Sequence, residues 1–220
     1  MDYAATLTAV SKSFKGLNVL QDVNLAVPRG SLCGIQGPNG SGKSVLFKLI
    51  CGLVTPDAGE VWLSPDLREK GDSYPIGVGA IIDRPGYLPG LTGLENLLEL
   101  ASIRKVASRA DVTTAMERVG LSPGTRQHVR NYSLGMKQKL AIAQAFMEGQ
   151  QLLLLDEAFN GLDASSVETT RQLLRDLNAE GRTIIITSHQ QEDIDTLCAS
   201  VWRINHHTLE PIAGSGSALE

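Results

Sequence analysis

Residues 37–44, Gly37-Pro38-Asn39-Gly40-Ser41-Gly42-Lys43-Ser44, have the spacing G-x-x-x-x-G-K-[ST], which suits the cradling of a phosphate. The glycines let successive backbone N–H groups turn inward around an anion, and a helix starting at Lys43 would aim its positive end at the same place. Lys43 would then reach the outer phosphates of a nucleotide while the Ser44 hydroxyl ligates magnesium. A second chemistry-bearing string is Leu152-Leu153-Leu154-Leu155-Asp156-Glu157, two carboxylates at the end of an unbroken apolar run. Such a run reads as a buried strand, and open α/β sheets bind their ligands at the carboxyl ends of their strands. Asp156 could hold the magnesium shell and Glu157 could take a proton from an attacking water. Acidic residues also end many purely structural strands, so this pair draws its meaning from the phosphate loop.

These residues need a scaffold, and the flanking patterns supply one. Residues 31–36 read as a short buried strand, residues 43–51 as a helix, and Gly52 as its left-handed stop. The alternation of Val19, Val23, Leu25 and Val27, closed by Pro28-Arg29-Gly30, indicates an early β-region. Helical patterns dominate between about 88 and 149: residues 93–105, residues 111–119 with Asp111 as N-cap and Gly120 as stop, and residues 134–148. Beyond them, residues 152–155 and 183–187 are apolar runs suited to strands covered on both faces. The helix between them, 164–179, has Asp163 as N-cap and Gly181 just past its end. Strand, right-handed helical crossover and strand form a parallel unit, so an α/β sheet is expected, with the helical segment inserted.

Composition narrows the classes. The chain has 220 residues, 42% of them hydrophobic and 20% charged, which is ordinary globular usage rather than that of a disordered or low-complexity chain. The net charge of −4, without a long run of one sign, gives no nucleic-acid surface. Residues 45–54 form the longest apolar stretch, are interrupted by Lys48 and Gly52, and fall short of the ~18 to 20 residues that span a bilayer. Met1-Asp2-Tyr3-Ala4 begins neither a basic nor an apolar leader region, so no secretory signal is expected. Cys33, Cys51 and Cys198 are far apart and fit reduced, buried thiols better than a disulfide frame. His206 and His207 read as a solvated turn, and residues 214–220 as a flexible tail.

Three further strings follow in a set order: Asn131-Tyr132-Ser133-Leu134-Gly135-Met136-Lys137-Gln138, then Asn160-Gly161-Leu162-Asp163 directly after the carboxylates, then Thr187-Ser188-His189 at the end of the next strand. With the phosphate loop, this order resembles the ATP-binding cassette ATPases over nearly the whole chain, from Phe14 to about Cys198. The first string is a degenerate form of that family's L-S-G-G-Q signature, with Ser133, Gly135 and Gln138 in frame. Ser133 is also a good N-cap in its own right. The resemblance implies a P-loop NTPase α/β core with a parallel sheet, an N-terminal antiparallel β-region and an inserted helical lobe. It also implies one domain over 1–213, with 1–87 and 150–213 as nucleotide-binding core and 88–149 as lobe.

By the same resemblance, ATP with Mg²⁺ would be hydrolysed between two copies arranged head to tail. One copy would supply Phe14 stacked on adenine, residues 37–44, Asp156, the general base Glu157 and the switch residue His189; the other would supply Ser133 and Gly135. A plain core or loop phenylalanine is the alternative for Phe14. Where the family normally has a metal-associated glutamine, this chain has Asp83; Tyr132, Leu134 and Met136 depart from the signature, and Ala158-Phe159 replaces the usual Pro-Thr. The segment from Asp83 through Leu91-Thr92-Gly93-Leu94-Glu95-Asn96-Leu97 is most similar to ATPase subunits of bacterial bacitracin- and lantibiotic-type exporters. The expected protein is therefore a stand-alone ATPase subunit with a separately encoded transmembrane permease, lying in the cytoplasm on the inner face of the membrane. The segment with Tyr87, Leu88, Pro89 and Leu91 would dock that permease; the alternative is that these residues pack the lobe onto the core. The alternative is a non-transport cassette ATPase that works as a clamp or scaffold.

Overall fold

The protein is described by a computed structural model covering residues 2–68, 74–83, 86–188 and 191–212. Strands β1 (Tyr3–Phe14) and β2 (Leu17–Pro28) form a hairpin, and β3 (Leu32–Gln36) leads through the glycine-rich loop into helix α1 (Lys43–Ile50). Strand β4 (Ala58–Leu63) returns to β1, giving a three-stranded antiparallel sheet in the order β2-β1-β4. Next come β5 (Val78–Ile81) and helices α2 (Gly93–Arg104), α3 (Arg109–Arg118) and α4 (Leu134–Phe146). The chain then alternates through β6 (Leu152–Leu155), α5 (Ala164–Ala179), β7 (Thr183–Thr187), α6 (Gln191–Leu197), β8 (Ser200–Asn205) and β9 (Thr208–Pro211). The second sheet has the order β5-β6-β7-β3-β8-β9, parallel except for β9. The expected α/β architecture with an antiparallel β-region is therefore present.

The unbroken apolar strands have a direct packing cause. Leu152, Leu154 and Ile185 join Ile35, Trp202 and α1 in the core beneath the antiparallel sheet, whereas Leu153, Leu155, Ile184 and Ile186 face the helical side. Side chains alternate across a strand, so a strand covered on both faces must be apolar at every position. Each fully buried Leu or Ile contributes about 1.5–3 kcal/mol.

Two local expectations shift. Helix α3 begins at Arg109, with Ser108 as its N-cap; Asp111 occupies the third helical position and completes a capping box by accepting from the Ser108 N–H. Asp111 is therefore not the cap, because the serine three residues earlier offers a hydroxyl to the Asp111 N–H and receives a carboxylate in return. Helix α4 ends at Phe146, two residues before the expected stop. His206 and His207, with φ of 45° and 68°, form the turn between β8 and β9. Cys33, Cys51 and Cys198 are free thiols, and burial pushes Cys51 up to about 12. The tail 214–220 and His189 lie outside the described residues.

Candidate nucleotide site

Strand order alone gathers the chemistry-bearing loops. Strand β7 lies between β6 and β3, so the segments that leave their carboxyl ends, with Asp156 and Glu157, Ser188, and residues 37–44, come together at one sheet edge. The phosphate loop needs its glycines for two separate reasons. Gly40 and Gly42 have φ of 77° and 106°, in the left-handed region that L side chains rarely adopt. A Cβ on Gly37 would lie 2.5 Å from Ser41 Oγ and 3.2 Å from the Ile204 carbonyl oxygen. Pro38, Asn39 and Gly40 form the exposed crest of the loop.

Helix α1 starts at Gly42 without a side-chain cap and without an acidic residue in its first turn. By contrast, α2, α3, α4 and α5 each begin at a side chain that accepts a backbone N–H: Thr92, Ser108, Ser133 and Asp163. The first amides of α1 are therefore left for an anion. Ser41 Oγ, within this loop, is buried without a hydrogen-bond partner among the described residues. Both observations fit a phosphate.

Lys43 is 6% exposed, and its Nζ donates to the carbonyl oxygens of Gly37 at 2.7 Å and Pro38 at 3.2 Å. The same Nζ lies 3.8 Å from Glu157 Oε1. Ser44 Oγ donates to Asp156 Oδ2 at 2.5 Å, so a hydroxyl and a carboxylate, both hard oxygen donors, are brought together from α1 and the end of β6. That donor set fits Mg²⁺. Glu157 sits at φ 51°, an uncommon conformation for a side-chain-bearing residue, and its N–H donates to Thr187 Oγ1 at 2.8 Å.

The signature segment begins α4. Ser133 is exposed, and its Oγ accepts from the Met136 N–H at 3.1 Å. A Cβ on Gly135 would lie 2.8 Å from the Gly161 carbonyl oxygen, which explains the glycine by close approach of the 160–162 loop. Tyr132, a departure from the signature, is buried, and its hydroxyl accepts from the Gly93 N–H at 3.3 Å; the substitution serves helix packing. Gln138 Nε2 donates to the carbonyl oxygens of Glu157 and Ala158, at 3.3 and 3.0 Å.

Two expected site residues make other contacts. Phe14 ends β1, is 43% exposed, and has the Lys12 ammonium 5.3 Å from its ring centroid. Asp83 has φ 57° and pairs its carboxylate with Lys48 Nζ of α1 at 2.6 Å, so it reaches a metal only if that exposed pair opens. Two residues gained roles that their positions in the sequence did not reveal. Thr187 bridges Asp156 and Glu157; its sequence signal is a hydroxyl closing a buried strand that is aliphatic only at its three central positions. Arg171 of α5 donates to Asp193, which is 1% exposed and also accepts from Ser188 Oγ at 2.8 Å.

A sheet of this topology with an uncapped phosphate loop facing a serine–aspartate pair defines a nucleotide-binding α/β cassette. Residues 20–160 match the ABC transporter family, and the chain belongs to that family. It is 38% identical over 216 residues to the bacitracin transport ATP-binding protein BcrA of Enterococcus faecalis, spanning 96% of this chain and 70% of BcrA. It is 32% identical over 194 residues to the lantibiotic transport ATP-binding protein SrtF of Streptococcus pyogenes, spanning 86% of this chain and 81% of SrtF. Among solved structures, the dimeric ABC transporter cassette MJ0796 superposes with a TM-score of 0.83 at 26% identity, over 96% of this chain and 99% of that one. The same cassette also superposes in a post-hydrolysis state with ADP and Pi, at a TM-score of 0.82, 25% identity and the same coverage of both chains. The protein is thus an ATP-binding, ATP-hydrolysing subunit of a transporter, of the type that the order of motifs predicted.

Proposed function

We propose that this chain powers an exporter of a peptide antibiotic or a similar compound, acting through a separate membrane subunit. The observation that carries the site assignment is the cluster of Lys43, Ser44, Asp156 and Glu157 beside an uncapped helix start. The bacitracin and lantibiotic transport served by BcrA and SrtF points to the substrate class. Ser44 and Asp156 would hold Mg²⁺, which when bound neutralises charge on the phosphate oxygens. Lys43 would exchange its carbonyl partners for phosphate, and the amides of residues 40–44 would hold the anion in place. Glu157 would accept a proton from the water whose oxygen attacks the γ-phosphorus as the bond to the bridging oxygen breaks, leaving ADP and phosphate. Ser133, exposed at the start of α4, and the half-buried Gly135 would complete the site of a second copy. The MJ0796 cassette, solved as a dimer, supports this arrangement. Phe14 would stack on adenine, and His189 would act as the switch residue.

No helix among the described residues is long and apolar enough to cross a membrane, so attachment to the inner face would come through the permease. A groove of about 520 Å³ whose lining includes Asp83, Tyr87, Pro89, Leu134, Gln138 and Asn160 supports docking there. Tyr87 is half-buried, its hydroxyl donates to the Lys137 carbonyl at 2.6 Å, and burial pushes its phenol well up; Leu88 is 53% exposed. Leu88→Ser is therefore the test variant, since it leaves the Tyr87 anchor intact. Tagged chain should co-purify its permease from detergent extract, and Leu88→Ser should lose it while keeping basal ATPase. Extracts that yield no membrane protein with the wild type would overturn the assignment of a separate membrane subunit.

A further inference from the structure

Thr187 ends β7 and is fully buried, between the strands that deliver the phosphate loop and the carboxylates. Its hydroxyl has one proton to give, and it gives it to Asp156 Oδ1 at 2.7 Å. A lone pair on the same oxygen receives the Glu157 N–H at 2.8 Å. Asp156 is therefore fixed at both oxygens, Oδ1 by Thr187 and Oδ2 by Ser44, which sets the plane of the carboxylate. Glu157 is held at both ends of its backbone, its N–H on Thr187 and its carbonyl on Gln138, in a left-handed conformation that costs about 1 kcal/mol or more for a non-glycine residue. The strand end itself is anchored. The next residue, Ser188, donates to the buried Asp193, whose other oxygen receives Arg171 Nη2 at 2.7 Å.

We infer that Thr187 is a positioning residue for hydrolysis: one hydroxyl orients the Asp156 carboxylate toward the metal and, through the Glu157 amide, aims the Glu157 side chain. The inference rests on the roles proposed above for Asp156 and Glu157. The physical reason is economy of geometry, because a single atom bonded to both groups fixes their relative placement more tightly than two independent supports would. Valine has the same shape and neither bond, so it isolates the hydroxyl.

The test compares full-length wild type with Thr187→Val, Thr187→Ser and Asp156→Asn. Its readouts are the Mg²⁺ concentration for half-maximal binding of a fluorescent ATP analogue, binding of that analogue in EDTA, and kcat and KM for ATP. Thr187→Val should raise the Mg²⁺ half-point and lower kcat, each by about 10-fold or more as expected for loss of an outer-shell partner, with EDTA binding and KM nearly unchanged. Thr187→Ser should restore both. Should Thr187→Val fail to fold, Thr187→Cys, with a weak donor of similar size, should give a smaller shift in the same direction. An unchanged Mg²⁺ half-point and kcat in Thr187→Val, or failure of serine to restore them, overturns the inference while Asp156→Asn still shifts the half-point. If Asp156→Asn leaves the half-point unshifted, the metal assignment fails and takes the inference with it.

Discussion

Gln138 Nε2 donates to the carbonyl oxygen of Ala158 at 3.0 Å, tying the helix that begins at Ser133 to the loop that carries Glu157. The contact joins the helix of the signature segment to the loop proposed to carry the base within one copy. Gln138→Ala should therefore lower the hydrolysis rate several-fold while Mg-ATP binding persists. The lost hydrogen bonds should cost about 1 kcal/mol each, which chemical denaturation would register. Unchanged turnover with lowered stability would confine Gln138 to a structural role.

If residues 37–44 cradle the phosphates and Glu157 is the base, as proposed, the two jobs are separable. Lys43→Ala removes the buried ammonium beside the loop and should abolish most nucleotide binding. Glu157→Gln keeps shape and hydrogen bonding but cannot take up a proton in the same way; it should bind ATP normally and lose about 10²- to 10⁴-fold in turnover. Equilibrium binding and steady-state hydrolysis, measured on the same preparations, check both. Near-normal turnover in Glu157→Gln would remove it from the base role.

If Ser133 and Gly135 serve a second copy, activity should rise more than linearly with protein concentration. Size-exclusion chromatography of Glu157→Gln should show a dimer with ATP and a monomer without it. A monomer under both conditions across a wide protein range counts against the head-to-tail pair.

The Lys48–Asp83 pair is more than half exposed on the aspartate side, so it contributes at most about 1 kcal/mol, or ~2–4 °C in Tm for a chain of this size. Asp83→Asn should therefore be well folded. It should lower permease-stimulated ATPase more than basal ATPase, because the carboxylate stands between α1 and the proposed docking groove. Equal loss of both rates would place Asp83 in basal chemistry.

Hydrogen bonds from the Ser166 backbone, then from Ser165 and the Ser166 side chain, hold Asp163 below its ordinary value. Hydrogen bonds to Ser108 and to Thr92 hold Asp111 and Glu95 down likewise. A depressed folded pKa stabilises the fold above the unfolded value, roughly pH 4, and that stability is lost as pH falls through the folded one. Thermal melts from pH 6 downward should show Tm falling below about pH 4, with Asp163→Asn showing a shallower acid slope than wild type. An identical slope would mean that Asp163 does not link its cap to protonation.

The local grammar was readable in the chain. Glycines at 37, 40 and 42 with Lys43 and Ser44 announce a phosphate loop. The aliphatic run 152–155 and the β-branched run 183–187 announce doubly covered strands, and Asp163 and Gly181 bracket α5. These features depend on residues close in sequence, whose φ preferences and alternation act locally. The short strands β4, β5, β8 and β9 gave no comparable signal, because pairing with distant partners decides them more than propensity does. What only the tertiary structure decided is the convergence: β7 lies between β6 and β3, which sets Thr187 between Asp156 and Glu157 and brings Lys43 to 3.8 Å from Glu157. The turning of Asp83 toward Lys48 was decided in the same way, since strand order and side-chain pairing across more than thirty residues leave no trace in spacing.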